Sequence, residues 1–123
     1  MSTPQTVNLE EKFGLFAEAW SPKVVGELNG QQVKLAKFRG EFIWHAHEHE
    51  DELFFVVRGT MRMAFREREV RVREGEFLIV PRGVEHCPAA EGDETWVMLL
   101  EPASTVNTGT AGGERTVTEL ERL

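Results

Sequence analysis

The chain of 123 residues has one cysteine, Cys87, and no tyrosine. A single cysteine excludes an internal disulfide and suits a reducing compartment such as the cytoplasm. The lack of tyrosine removes a frequent catalytic acid. Long apolar runs are missing as well, and Met1 to Leu9 shows no basic start leading into an apolar stretch. Neither a membrane span nor a signal peptide is expected. Basic residues are outnumbered, 14 Lys+Arg against 21 Asp+Glu, for a formal charge of −7. Such a surface repels phosphate backbones and anionic lipids alike. Nucleic acid and membranes are therefore poor partners, and a small molecule is the better one.

The length suits one domain over residues 1–123, large enough to bury a core without disulfide staples. Asn8-Leu9-Glu10-Glu11 reads as a capping box, and Leu9, Phe13, Phe16, Ala17 and Trp20 follow at helical spacing. A helix over 8–20 is predicted, stopped by Pro22. Val24 to Leu28, Asn29-Gly30 and Gln31 to Phe38 then read as two strands about a tight turn. Leu53 to Val57, Thr60 to Arg66, Glu69 to Arg73, Phe77 to Val80 and Thr95 to Leu100 are short runs rich in β-branched or aromatic residues. So many strands with no helix between them predict an all-β antiparallel sandwich or barrel, its core spanning about 24–101. From Pro102 onward Ala, Ser, Thr, Asn and Gly dominate, and residues 102–123 are expected to form a loop or arm.

Chemistry concentrates in two stretches. The first is His45-Ala46-His47-Glu48-His49-Glu50-Asp51-Glu52, and the second runs from Gly75 through Pro81 and Gly83 to His86. Imidazole nitrogens and carboxylate oxygens suit first-row divalent metals. If 41–47 is extended, Glu41, Ile43, His45 and His47 share one face, with Phe42, Trp44 and Ala46 on the other. A turn over the charged residues 48–51 returns the chain with Glu52, Phe54 and Val56 on one face, bringing Glu52 beside the two histidines. His86 follows a Pro-x-Gly turn and is available as a fourth ligand. His49 sits in the acidic run, either as a solvated loop residue or as an extra ligand.

These stretches resemble the two motifs of the cupin family. His45, His47, Glu52 and Gly59 match the first, and Gly75, Pro81, Gly83 and His86 match the second, with 15 residues between the two. Two positions depart from the family pattern: Gly40 precedes His45 by four intervening residues rather than five, and Ala90 stands where asparagine is frequent. The resemblance, similar to small proteins of the mannose-6-phosphate isomerase-like group, implies a small jelly-roll β-barrel. It further implies one divalent ion, iron, manganese, nickel, cobalt, copper or zinc, held by His45, His47, Glu52 and His86.

Around such a site Glu41 and then His49 are the candidates to act beside the metal, by parity and proximity. Ile43, Phe54, Val56 and Val84 are expected to face inward and suit a small, partly apolar chelating molecule. Arg62 and Arg66 either stand in water or line the mouth to hold an anion. Cys87, one residue past His86, is expected to point the other way and pack as a small buried side chain. Three activities fit: a metal-dependent oxygenase, an isomerase, epimerase or lyase using a Lewis acid, and a non-catalytic ligand- or metal-binding module. A homodimer formed through exposed sheet edges is expected.

Overall fold

In the computed structural model, which describes residues 3–123, Asn29 and Gly30 turn the chain with φ of 48° and 78°. They join β1 (Lys23–Leu28) to β2 (Gln31–Phe38) in the expected hairpin, positive φ at both central residues matching the twist of the flanking strands. The remaining strands are β3 (Glu52–Ala64), β4 (Glu69–Arg73), β5 (Phe77–Val80) and β6 (Cys87–Pro102). All pairings between strands are antiparallel, in the order β1-β2-β6-β3-β4, with β5 alongside the first half of β3. The long strand β6 joins the sheet together: its first half pairs with the end of β3, and its second half lies between β2 and the start of β3.

Two expected strands, 53–57 and 60–66, are one. Gly59 carries the chain through at φ 85° where the pairing with β6 shifts register. A Cβ at this point would lie 2.9 Å from the Glu94 carbonyl oxygen, so only glycine suits this bulge. The inner faces of β2, β3 and β6 meet around Phe38, Phe54, Val56, Met61, Met63, Val97 and Leu99. A second apolar cluster lies outside the sheet, where Phe13, Phe16 and Leu35 pack with Trp96 and Met98.

The N-terminal helix is shorter than its apolar spacing predicts: α1 covers only Leu9–Phe13. Asn8 caps it as expected, its side chain accepting from Glu11 N at 2.9 Å. Beyond Gly14 the backbone is claimed by the sheet. Lys37 Nζ donates to Phe16 O at 2.7 Å, Arg39 donates to Ala17 O, and Trp20 N donates to Lys37 O at 2.9 Å. Phe13 then stacks on Trp96 outside the sheet, while Trp20 stacks on Phe38 and Phe42 inside it. One straight helix cannot serve both faces.

Residues 103–123 are not a free arm. They strap back over the metal-motif segment and finish along the edge of β1, where Leu123 N donates to Val24 O at 3.0 Å and Val24 N to Glu121 O at 2.9 Å. No helix among the described residues is long and apolar enough to cross a membrane.

Candidate metal centre

The two motifs are clasped by backbone before any side chain is considered. His45 N donates to His86 O at 3.0 Å and His86 N to His45 O at 2.9 Å, while Gly83 N donates to His47 O at 2.7 Å. Arg82 N donates to Asp51 Oδ1 at 2.8 Å, which pins the charged turn ahead of Glu52. As a result His45, His47, Glu52 and His86 converge, all buried, with one donor atom from each lying within 4.8 Å of the others.

Hydrogen bonding fixes what two of the imidazoles present. The Nδ1 of His45 meets Ile43 O, and that of His86 meets Val84 O, each at 2.9 Å. A carbonyl only accepts, so each Nδ1 carries a proton, and in the neutral imidazole Nε2 is then the nitrogen left with a lone pair. Such backbone anchoring orients metal-ligating histidines generally. His47 Nε2 and His86 Nε2 stand 2.9 and 3.2 Å from Glu52 Oε1. Among the described residues none of these three atoms has a hydrogen-bond partner of proper geometry, although all are buried. Leaving such atoms unsatisfied is costly in a protein interior. Their spacing resembles that of donors each about 2.1 Å from a shared ion, which lie roughly 3 to 3.5 Å apart. The buried three-histidine, one-glutamate group can hold a metal ion.

Burial is also the main electrostatic influence. It pushes the His45 pKa down to about 4, with the charge on His86 adding to it and the Ile43 carbonyl opposing. Burial alone would raise the Glu52 carboxyl, but the imidazoles of His47 and His86 outweigh it and hold Glu52 ionised well below the ordinary range. A neutral imidazole beside a carboxylate is the state a divalent cation requires.

His45 and Glu52 form one side of a cavity of about 40 Å³ whose other walls include Trp20, Phe38, Phe42 and Phe54. Among the described residues lining it none is lysine or arginine. Phe42 was expected on the far face and is a correction. Along 41–45 four steps are matched by three along 86–89, because Glu41 pairs with Ala89 and His45 with His86. That one extra residue is a bulge, and it flips the alternation so that Phe42 and His45 share the inner side. Glu41 is correspondingly exposed and does not join the cluster. His49 is exposed too, 3.6 Å from Glu48, and lies with His47 along a shallow outer depression.

Other expectations divide. Phe54 and Val56 face inward and Cys87 is buried, its thiol pushed up by burial and by the charge of Glu41. Val84 faces outward and is exposed. The arginines leave the mouth unlined: Arg62 meets Glu69, Arg66 pairs with Glu85 over the Trp44 ring, and Arg58 lies over Trp96. Gly59, Gly75 and Gly83 all take positive φ.

The sequence reading missed Glu101 and Lys34. Glu101 lines the cavity, and its Oε2 accepts from Lys34 Nζ at 2.7 Å. Burial first, then the charge of Glu52, raises the Glu101 carboxyl well above its ordinary value, which Lys34 offsets only in part. The signal was strand parity: Glu101 continues the inward series Val97, Leu99, and Lys34 opens the series Ala36, Phe38.

A family model described as Cupin domain matches residues 31–101. A cupin-2 domain containing protein from Shewanella frigidimarina NCIMB 400 is 45% identical, with a TM-score of 0.76 over 78% of this chain and 93% of that one. Protein NMB1881 from Neisseria meningitidis is 32% identical, with a TM-score of 0.73 over 80% of this chain and 100% of its own. The uncharacterized protein YdbB of Bacillus subtilis (strain 168) is 38% identical over 63 residues, which are 50% of this chain. This chain spans only 56% of the length of that curated relative. With the family match taking in more than half of the residues and the paired motifs folded around one buried cluster, the chain belongs to the cupin-domain family.

Proposed function

We propose that this protein binds one divalent transition metal through His45, His47, Glu52 and His86 and is an enzyme of oxygenase type, acting on a small, partly apolar molecule that chelates the metal through oxygen. The observation that carries the reading is the set of unpartnered, buried donor atoms of His47, Glu52 and His86, beside an apolar cavity that Glu52 and His45 line. The bound metal supplies Lewis acidity and, if it is iron or manganese, electron transfer toward dioxygen. The chain itself supplies the rest. His45 and His86 are held in the ligating tautomer by Ile43 O and Val84 O, Trp20, Phe42 and Phe54 exclude water, and Glu52 neutralises part of the cation's charge.

The main alternative is a metal-dependent isomerase, epimerase or lyase of the sugar-isomerase-like group, and two observations weigh against it. A phosphosugar requires cationic side chains, and Arg58, Arg62 and Arg66 are engaged on the outer surface. Isomerisation also requires a free acid or base, whereas Glu41 and His49 are exposed and Glu101 is bonded to Lys34. A non-catalytic binding module is the remaining alternative. The exposed side chains of Phe77 and Ile79 on β5 support a homodimer, and the single buried cysteine is compatible with the cytoplasm.

Elemental mass spectrometry of tag-free protein beside His45→Ala and His86→Ala tests the metal. Near-stoichiometric metal in the wild type, lost in both variants, is the expected result, and equal content in all three would end the proposal. Oxygen uptake with Fe(II) and a panel of small diketones and catechols tests the reaction. Turnover that is indifferent to dioxygen and supported by Zn(II) would favour the isomerase class, and tight binding without turnover the binding module.

A further inference from the structure

His47 belongs to the buried cluster and also to the wall of the outer depression, a hollow of about 250 Å³ between residues 47–50 and the strap. Its side chain is 3% exposed, and its two ring nitrogens face different surroundings. Nε2 stands 2.9 Å from Glu52 Oε1 on the inner side. Nδ1 lies toward the strap, where a Cβ on Gly109, itself part of the depression, would lie 3.2 Å from it. Among the described residues Nδ1 has no hydrogen-bond partner, whereas the same atom of His45 and of His86 is held by a carbonyl. A buried imidazole nitrogen left in this way beside an opening calls for a use. The rest of that wall carries groups that bind divalent cations. Glu48 and His49 are exposed with Oε2 and Nε2 3.6 Å apart, and Glu50 Oε2 accepts from Ser104 Oγ at 2.9 Å.

We propose that Glu48, His49 and Glu50 form an entry station for the metal: they capture a divalent cation at the surface and pass it along the His47 ring to the four inner donors. The inference rests on the reading of those donors as a metal site. His45, His47, Glu52 and His86 are 0 to 5% exposed, so an ion reaches them only by passing other residues. The inner cavity beside His45 and Glu52 is walled largely by aromatic rings, which give a cation little in exchange for its water. The depression instead sets two carboxylates and the His49 imidazole ahead of His47, on a chain whose formal charge of −7 already attracts cations. Among the described residues these outer side chains do not converge as the inner four do. That difference suits loose capture, since a tight outer site would retain the ion. A station outside the final site speeds arrival and departure by the same factor, and so leaves the equilibrium affinity nearly unchanged.

The test uses Co(II) alone as the probe, mixed with metal-stripped protein and followed by stopped-flow quenching of tryptophan fluorescence, with release to excess chelator and equilibrium affinity measured in parallel. The triple variant Glu48→Gln/His49→Gln/Glu50→Gln removes the outer ligands, the last change keeping an acceptor for Ser104. It is expected to load about 10-fold more slowly at low salt, to release the ion more slowly by a similar factor, and to keep Kd within about threefold of the wild type. His49→Gln alone, at an exposed position, is expected to slow loading in the same direction. The control Glu11→Gln/Asp93→Asn removes two carboxylates that do not line the depression and is expected to load within about twofold of the wild type. Wild-type loading in the triple variant, or a slowing no greater than that of the control, would overturn the proposal. A loss of affinity in the triple variant with release no slower than in the wild type would also overturn it, by making the outer groups resident ligands. Wild-type protein that binds Co(II) no better than His45→Ala would instead overturn the metal reading on which the proposal stands.

Discussion

Taking an imidazole out of water favours its neutral form, and His45 is held neutral down to about pH 4, chiefly by burial. In the unfolded chain the same group titrates near 6.5. Between those two values the unfolded state therefore binds more protons, and stability rises with pH across that window. The contribution is fully present above about 6.5 and is lost as pH falls toward 4, and is on the order of 3 kcal/mol. Glu52, whose carboxyl is lowered, acts in the same sense below its unfolded value of 4.5. Melting of metal-free protein from pH 7 to pH 4 should show the transition temperature falling throughout, and His45→Gln should flatten the upper part of that fall. A transition temperature level from pH 7 to 4.5 in the wild type would contradict this account. At this scale the four ligand candidates were legible because spacing and residue type coincided. Glu41 and Phe42 were not, because alternation holds only while a strand stays regular, and one bulge residue between the bridges at Glu41 and His45 exchanges their faces.

Among the elements, the segment after β6 departs most from its expected form. Its small polar residues read as a loop, yet it is fastened at several points. The Asn107 side chain donates to Arg115 O and accepts from Val117 N, at 2.8 and 2.9 Å, and Thr108 is fully buried. Thr110 N donates to Ala46 O at 3.0 Å and Arg115 donates to Glu41 O at 2.9 Å, so the strap grips the segment 41–46 at both ends. Gly109 makes the closest approach: a Cβ there would lie 2.1 Å from Ala46 O and 3.2 Å from His47 Nδ1, at φ 55°. Gly109→Ala should lose on the order of 1–3 kcal/mol in urea unfolding and weaken metal binding several-fold. Gly112→Ala, at a similar positive φ but with nothing within 4 Å, is the control and should leave metal binding near the wild type. Equal metal affinity in the two variants would show that the strap does not bear on His47. Composition cannot reveal such fastening, because each bond joins residues far apart in the chain.

For the whole molecule, the outer face of the sheet is unevenly covered. α1 and the segment after it shield Leu35, Trp96 and Met98, whereas Phe77 and Ile79 on β5 remain 61% and 52% exposed. These two pair with Phe55 and Leu53 on β3, extending one apolar surface across two strands, and among the described residues β5 has no strand on its far side. A second copy of the chain meeting this face would bury it. Light scattering should give twice the chain mass of 14.0 kDa for the wild type and a shift toward one chain mass for Phe77→Ser/Ile79→Thr. A monomeric wild type at micromolar concentration would remove the dimer from the proposed function. Strand identities, the Asn29-Gly30 hairpin and the two motifs were determined by the sequence itself, because they depend on neighbours a few residues apart: turn conformations, alternation and ligand spacing. Tertiary structure alone decided that α1 stops at Phe13, that β3 runs unbroken through Gly59, that Phe42 replaces Glu41 at the cavity, and that Lys34 and Glu101 pair in the inner face of the sheet. Each of those outcomes depends on register between distant strands, and a shift of one residue there exchanges the inside of the sheet for the outside.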